Sequence, residues 1–367
     1  MTRAARSVVA LTLGLLGACT NAPAPVTPRP AEPKPARSAS YRVVDATGPF
    51  FEFWQRHEKS SPDARLAGFR ELVIARHPEL FRDDVVGKDP TISDELPARL
   101  PPWLASLDLR FDAMRALADS VKRDLPRFDQ SFQQAFPDMR WDGAVFFTVS
   151  IDAFDGAVRK VDGKTALLFG IDKIALLHGK DANLAALFHH ELFHLHHPTL
   201  CALPEPKPEG PNGLWPPLWT EGLAVYVSQR LNPKATLGEL TLSAELVRAT
   251  DERMALIAGE LLQKLDDARE EDFRDFFLGA GQRPEIPKRS AYYVGYRVAA
   301  SLARQMSFDR LVRLCGDELR TAIERELLRL KSAEPAAPAP MGQRPAAEFP
   351  HRPHFSRAQR MPVSSLL

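Results

Sequence analysis

The sequence predicts an α+β protein that is mostly helical and carries a small mixed or antiparallel sheet directly before a histidine-rich helix. Apolar residues recur at helical spacing in both halves of the chain, and residues 182–197 contain neither proline nor glycine. Residues 143–171 contain three short runs rich in β-branched and aromatic residues, separated by Asp-Gly pairs, and these runs predict the strands.

The hydrophobic content and the balanced charge are typical of a globular protein. The formal net charge of the 367 residues is only +1, so we expect no nucleic-acid partner. The oligomeric state stays open. If the protein is exported, Cys201 and Cys315 can form a disulfide, and two buried free thiols are an equal alternative.

Residues 1–18 are typical of a secretory signal peptide, because Arg3 and Arg6 precede a short apolar run. The stretch that ends at Cys19, Leu-Gly-Ala-Cys, resembles a bacterial lipobox, which implies that Cys19 is lipidated and becomes the mature N-terminus. An ordinary cleaved signal with an incidental cysteine is the alternative. Thr20 implies sorting to the outer membrane, so we expect a lipid-anchored cell-envelope protein that faces the periplasm or the surface.

Biased composition marks both ends of the mature chain. Residues 19–40 predict the lipidated cysteine followed by a Pro/Ala-rich linker, and residues 332–367 predict a disordered Pro/Ala-rich tail. Between them we expect one globular domain, residues 41–331, with a helical part at 41–140 and a second part at 141–331 that carries the histidines.

Helical periodicity dominates residues 41–140. Residues 45–81 predict two helices broken near Ser60 to Pro62, and residues 83–100 predict a polar loop. Residues 103–136 predict one long or two shorter helices, with a break at Pro126.

The three strand candidates are residues 143–150, 158–161 and 165–171. We expect a mostly antiparallel sheet whose last strand offers a free edge, with turns at Asp155-Gly156 and Asp162-Gly163. An extended peptide pairs with such an edge through main-chain hydrogen bonds.

The histidine-rich helix contains His190-Glu-Leu-Phe-His194, an H-E-x-x-H pattern. Residues four apart share one helix face, so both imidazoles reach a single metal ion. Glu191 lies about 100° around the helix, beside such an ion rather than among its ligands. Asp181 is the expected N-cap, and Pro198 is expected to end the helix at His197. A histidine-rich helix end without metal is the alternative.

A catalytic zinc site needs a third protein ligand. His197 lies about 10 Å along the axis from His190, which is too far for one ion. The longer pattern with a third histidine also fails, because Leu200 stands where that histidine is required. Glu221 is the better candidate, since Thr220 predicts the cap of a helix that begins near Glu221 and ends near residue 230. A first-turn glutamate favoured by the helix dipole is the alternative.

The remaining residues predict further helices at 242–265, 272–278, 291–306 and 308–330. The Pro- and Gly-rich residues 198–217 predict a loop.

The motifs H-E-L-F-H at residues 190–194 and W-T-E-G-L-A at residues 219–224 together resemble the gluzincin metallopeptidases. The resemblance is closest to a group of bacterial predicted zinc-dependent proteases, in which a Y-x-x-G-Y stretch such as residues 292–296 often follows. It implies one zinc ion held by His190, His194 and Glu221, and a tyrosine that stabilises the oxyanion.

Tyr292 matches that tyrosine best, Tyr293 and Tyr296 remain open, and tyrosines that only pack a core are the alternative. Val225 departs from the thermolysin pattern, which has an Asp there.

These expectations combine into zinc-dependent hydrolysis of a peptide or protein substrate in the cell envelope, with Glu191 as general base on a zinc-bound water. One alternative is a non-catalytic envelope binding lipoprotein on a gluzincin scaffold. Another is a zinc hydrolase of a non-peptide amide.

Overall fold

The fold is built around a four-stranded mixed sheet that packs against the helix bearing His190 and His194. The computed structural model describes residues 41–86, 92–180, 182–204, 212–241, 243–278 and 283–333. These residues form an α+β structure that is mostly helical. Cys19, the signal, the linker and the tail from residue 334 lie outside them. The strands are β1 (Arg42–Asp45), β2 (Ala144–Thr148), β3 (Gly156–Val161) and β4 (Lys164–Gly170).

The strand order is β1-β2-β4-β3. The β1–β2 and β2–β4 pairs are parallel and only β3–β4 is antiparallel, so the expectation of a mostly antiparallel sheet is wrong. β4 is also not an edge strand, because it lies between β2 and β3. Every residue of β2 is buried, as is usual for a strand inside a sheet with both faces covered.

The β3–β4 hairpin turns where the sequence predicts it. Asp162 and Gly163 have φ of 49° and 76°, and Val161 pairs with Lys164. Positive φ at both central residues is characteristic of a type I′ turn, which matches the twist of the flanking strands. β3 is therefore the edge strand on this side of the sheet.

The first part of the chain supplies five α-helices among the described residues. They are α1 (Gly48–His57), α2 (Pro62–Leu72), α3 (Asp83–Val86), α4 (Ile92–Ser106) and α5 (Phe111–Ala135). The break before Pro62 is confirmed, and Ser61 caps α2 by accepting a hydrogen bond from the Ala64 amide. The polar loop expected at residues 83–100 is wrong, because α4 occupies much of it.

Pro126 does not interrupt α5, contrary to expectation. A proline inside a helix removes one backbone hydrogen bond and crowds the preceding turn. Here Val121 and Leu125 before the proline, and Phe128 and Phe132 after it, are buried on one continuous stripe. Packing of this stripe on both sides of Pro126 holds the helix together.

Apart from β2, β3 and β4, the regular structure of the second part is helical. Its helices are α6 (Ile171–His178), α7 (Leu184–Leu200), α8 (Trp215–Leu231), α9 (Leu237–Leu240), α10 (Ala244–Asp251), α11 (Met254–Gln263), α12 (Glu270–Phe273), α13 (Ser290–Leu302), α14 (Phe308–Val312) and α15 (Gly316–Ser332). Two expected single helices are each divided, the first into α10 and α11 and the second into α14 and α15. The helix α15 also includes the first residue assigned to the tail.

Both ends of α7 differ from expectation. Asn183 is the N-cap, and its side-chain oxygen accepts a hydrogen bond from the Ala186 amide, whereas Asp181 lies outside the described residues. The helix passes through Pro198 to Leu200. The Cys201 amide donates to the His197 carbonyl at 2.9 Å, which closes the last turn beyond the proline.

The helix α8 begins at Trp215, six residues before Glu221, so Thr220 is not its cap. Pro216 and Pro217 occupy the first turn, where backbone amides have no partner within the helix. The loop expected at residues 198–217 therefore ends earlier than predicted, because its last prolines belong to this helix.

Cys201 and Cys315 form a disulfide with a Cα–Cα distance of 5.5 Å, which decides between the two alternatives for these cysteines. The bond joins the end of α7 to the segment between α14 and α15. Among the described residues, no helix is both long enough and apolar enough to cross a membrane.

Candidate metal centre

His190 and His194 lie one turn apart on α7, and Glu221 approaches them from α8. The two histidine Nε2 atoms are 3.0 Å apart. The Glu221 Oε2 atom is 3.3 Å from each of them. All three side chains are partly buried and retain some exposure. Two helices that are separate in sequence thus bring three donor atoms to one point.

Contacts away from the donors fix α8 against its neighbours. The Ser228 hydroxyl donates to the Ala186 carbonyl of α7 at 2.7 Å. Gly222, next to Glu221, lies against the backbone of Gly295 on α13, so close that neither glycine has room for a side chain. Close approach of three helices therefore sets where Glu221 points.

The donor atoms fit a tetrahedral zinc ion. Zinc–nitrogen and zinc–oxygen bonds of about 2.0–2.2 Å at tetrahedral angles separate neighbouring donors by about 3.3–3.5 Å. The observed separations of 3.0 and 3.3 Å are close to this value. Two imidazoles and one carboxylate are also a ligand set of catalytic zinc sites that keep a fourth position open. No other group of three potential ligands converges in this way within the described part of the chain.

The electrostatics of the three donors favour a cation between them. Burial lowers the pKa of His194, but the charge and hydrogen bond of Glu221, together with the charge of Glu191, outweigh burial and raise this pKa to about 9. Burial raises the pKa of Glu221, but the two histidines outweigh it and hold the pKa well below its usual range. A carboxylate that stays charged beside two imidazoles attracts either a proton or a metal ion, so metal and proton compete here.

Glu191 is not one of the converging donors, but its carboxylate interacts with the charges of His190, His194 and Glu221. Burial raises the pKa of Glu191, the charges of His190 and His194 oppose this, and the charges of Asp155 and Glu221 reinforce it. A carboxylate with a raised pKa can accept and later release a proton near neutral pH.

Gly156 at the start of β3 touches the side chain of Glu191. A Cβ added to Gly156 would lie 2.6 Å from the Glu191 Cδ atom and 2.7 Å from its Oε1 atom. The absence of a side chain at this strand residue therefore provides the space that the Glu191 carboxylate occupies.

Of the three candidate tyrosines, Tyr292 lies nearest the donors. Its ring stacks on that of His190, with centroids 6.4 Å apart. Burial and the nearby charge of Glu221 raise the pKa of its hydroxyl. Tyr293 instead donates to Asp251 at 3.1 Å, and Tyr296 donates to Gln229 at 2.6 Å.

The neighbouring histidines of α7 belong to the core. His189 is buried against α5, within 2.8 Å of the Ser131 hydroxyl, and is also within 2.8 Å of the Asn232 amide nitrogen. The His197 ring is buried and packs on Phe193. Neither histidine is among the converging ligands.

Sequence reasoning missed three residues near the centre. Gly156 was assigned only to a turn, although an Asp-Gly pair at the start of a strand was a usable signal. Arg289, whose guanidinium lies 4.5 Å from the Tyr292 ring centre, has a left-handed backbone with φ of 62°, which few non-glycine residues adopt. The third residue is Arg159 on β3, whose charge interacts with that of Glu191. No local sequence signal marks either arginine.

Comparisons of the chain with protein-family models, with curated proteins and with solved structures returned no match.

Proposed function

We propose that this protein is a zinc-dependent peptidase. The observation that carries the proposal is the convergence of His190, His194 and Glu221 at tetrahedral spacing, with Glu191 in charge interaction with all three. The likeness of residues 190–194 and 219–224 to gluzincin motifs supports the same conclusion from the sequence.

The proposed roles follow from position and charge. His190, His194 and Glu221 would hold the ion, which supplies Lewis-acid activation of water and of a substrate carbonyl when bound. Glu191 accepts the proton of the attacking water and returns it to the leaving amine. Tyr292 donates its hydroxyl hydrogen to the oxyanion that forms at the carbonyl.

The position of β3 favours a peptide over other amides. Within the described residues β3 pairs only with β4, and it begins against Glu191. An extended peptide that added to this edge through main-chain hydrogen bonds would pass beside the proposed base.

Metal content is the first test. The purified protein is dialysed against zinc and its metal content is measured by elemental analysis, together with His190→Ala, Glu221→Ala and the control His77→Ala. His77 is a partly buried histidine in the N-terminal part that pairs with Glu79. We expect about one zinc per chain in wild type and control, and strongly reduced zinc in the other two. Wild-type protein that takes up no zinc would contradict the proposal.

Activity is the second test. Zinc-loaded protein is incubated with casein and with a mixed peptide library, with and without a chelator. We expect cleavage that the chelator abolishes and added zinc restores. Cleavage that is indifferent to the chelator would contradict a zinc mechanism.

We also propose that a lipid on Cys19 anchors the protein in the bacterial envelope, on the strength of the lipobox-like residues 16–19. Labelled palmitate should enter the wild-type protein in cells and not Cys19→Ala. Equal labelling of the two would contradict the anchor.

A further inference from the structure

Arg159 is a partly buried cation on the edge strand beside the proposed base. It lies on β3 three residues after Gly156, which touches Glu191. Burial lowers the pKa of the Arg159 guanidinium, and the negative charge of Glu191 opposes this shift. The guanidinium is therefore partly removed from water, and the charge of Glu191 acts on it.

The Arg159 side chain leaves β3 on the sheet face opposite to that of Gly156. Gly156 lies on the sheet face that meets α7, because its pairing partner Phe169 stacks on Phe188 of that helix with centroids 6.0 Å apart. Residues an odd number apart point to opposite faces of a strand, so Arg159 starts from the other face. Its Nη1 atom nevertheless donates to the Val158 carbonyl at 2.9 Å, and its charge interacts with Glu191.

No carboxylate pairs with Arg159 within 4 Å among the described residues, and its hydrogen bond goes to a neutral carbonyl. Three other partly or fully buried arginines do have such a partner. Arg110 pairs with Asp152 at 2.7 Å, Arg297 with Asp251 at 2.8 Å and Arg283 with Glu260 at 3.0 Å. A partly desolvated guanidinium without an anion retains donors suited to a planar carboxylate.

We propose that Arg159 binds a carboxylate of the substrate and makes the proposed peptidase selective for peptides with a carboxylate close to the scissile bond. Selective cleavage of peptides rests on the proposed function. Binding of a carboxylate rests on Arg159 alone. An acidic side chain and a free C-terminus offer the same chemistry.

The first arm of the test profiles cleavage. Zinc-loaded wild type, Arg159→Gln, Arg159→Glu and the control Arg140→Gln digest one peptide library, offered with free and with amidated C-termini. Arg140 is an exposed arginine whose hydrogen bonds also go to backbone carbonyls, those of Pro137 and Met139.

We expect wild type and Arg140→Gln to favour Glu over Gln near the cleaved bond by about tenfold, a typical effect of a charge-assisted hydrogen bond. A preference that instead follows the free C-terminus would identify the terminal carboxylate as the ligand. Arg159→Gln should lose the preference, and Arg159→Glu should favour basic residues.

The second arm measures binding without turnover. Two peptide hydroxamates that differ only in Glu against Gln beside the hydroxamate are titrated into the zinc-loaded proteins. Tighter binding of the Glu compound that disappears in Arg159→Gln would support carboxylate recognition even if no peptide is cleaved.

Two results would overturn the inference. One is cleavage by wild type with no preference for carboxylates. The other is a uniform loss of turnover in Arg159→Gln across all peptides, because Arg159 would then only balance the charge of Glu191. Absence of cleavage with hydroxamate discrimination intact would contradict the proposed function and leave carboxylate recognition standing.

Discussion

At the residue scale, the role proposed for Glu191 depends on its charge and not on its shape. The side chain is not one of the converging ligands. We therefore expect Glu191→Gln to keep wild-type zinc content and to lose at least about a hundredfold in kcat, the usual contribution of a positioned general base. Elemental analysis and a peptide cleavage assay check the two parts. An active Glu191→Gln protein would exclude this mechanism.

Tyr292 and Tyr296 form a matched pair of partly buried tyrosines on one helix. Only Tyr292 stacks on His190, whereas the Tyr296 hydroxyl is occupied by Gln229. We expect Tyr292→Phe to lower kcat by about a hundredfold, as removal of one oxyanion donor does, with zinc content unchanged. Tyr296→Phe should keep normal kcat. Equal effects in the two variants would argue that Tyr292 only packs the core.

His197 makes stability depend on pH. Burial, aided by the neighbouring His194 and His196, lowers the pKa of His197 from 6.5 to about 4. The unfolded chain then binds more protons between these values, so the free energy of unfolding falls as pH drops from about 6.5 to 4. We expect the free energy of unfolding of His197→Phe to fall less than that of wild type over this pH range, by roughly 3 kcal/mol at most. Urea unfolding of the metal-free proteins across this range measures the difference, and identical pH slopes would contradict the assignment.

At the element scale, β3 positions Glu191 by having no side chain at Gly156. An alanine there would put its Cβ 2.6 Å from the Glu191 Cδ atom. We expect Gly156→Ala to displace the carboxylate, lowering kcat at least about tenfold while zinc content stays normal. Gly48→Ala is the control, because a Cβ at Gly48 meets nothing within 4 Å.

Unfolding experiments test the same contact without any activity assay. If Gly156 acts through Glu191, then Gly156→Ala costs less free energy of unfolding in a Glu191→Ala background than in wild type. Strict additivity of the two substitutions would place the effect of Gly156 elsewhere.

Local sequence predicts some features of the helices correctly and others wrongly. The helix of residues 103–136 and the break before Pro62 were predictable from the sequence, because both depend on neighbours within a turn or two. At three prolines the predicted helix boundary or break is wrong. Pro126 and Pro198 lie inside helices held by packing and by a bonded last turn, and Pro216 lies where helix geometry permits it.

At the scale of the whole molecule, the Cys201–Cys315 bond ties the end of α7 to the start of α15, 114 residues later. A loop of this length contributes about 4–5 kcal/mol in a chain-entropy estimate. We expect Cys315→Ser, or reduction, to lower the free energy of unfolding by about 2–5 kcal/mol. Chemical unfolding with and without reductant measures it, and the double variant with Cys201→Ser should be no less stable than the single one. Unchanged stability on reduction would contradict the pairing.

The sequence by itself determined the α+β class, the three strands of residues 143–171 and the residues that converge as donors. Each rests on a period or spacing that a single helix or strand imposes, such as four residues between His190 and His194. Glu221 was the one donor inferred from beyond the helix, and its neighbouring motif made that possible.

Only the tertiary structure decided the direction and order of the strands and the pairing of the cysteines. It alone also decided that Tyr292 stacks on His190 and that Gly156 touches Glu191. These depend on which distant segments meet. Side chains alternate between the two faces of a strand whether its partner is parallel or antiparallel. The identity of a residue as glycine does not show whether open space or a carboxylate lies next to it.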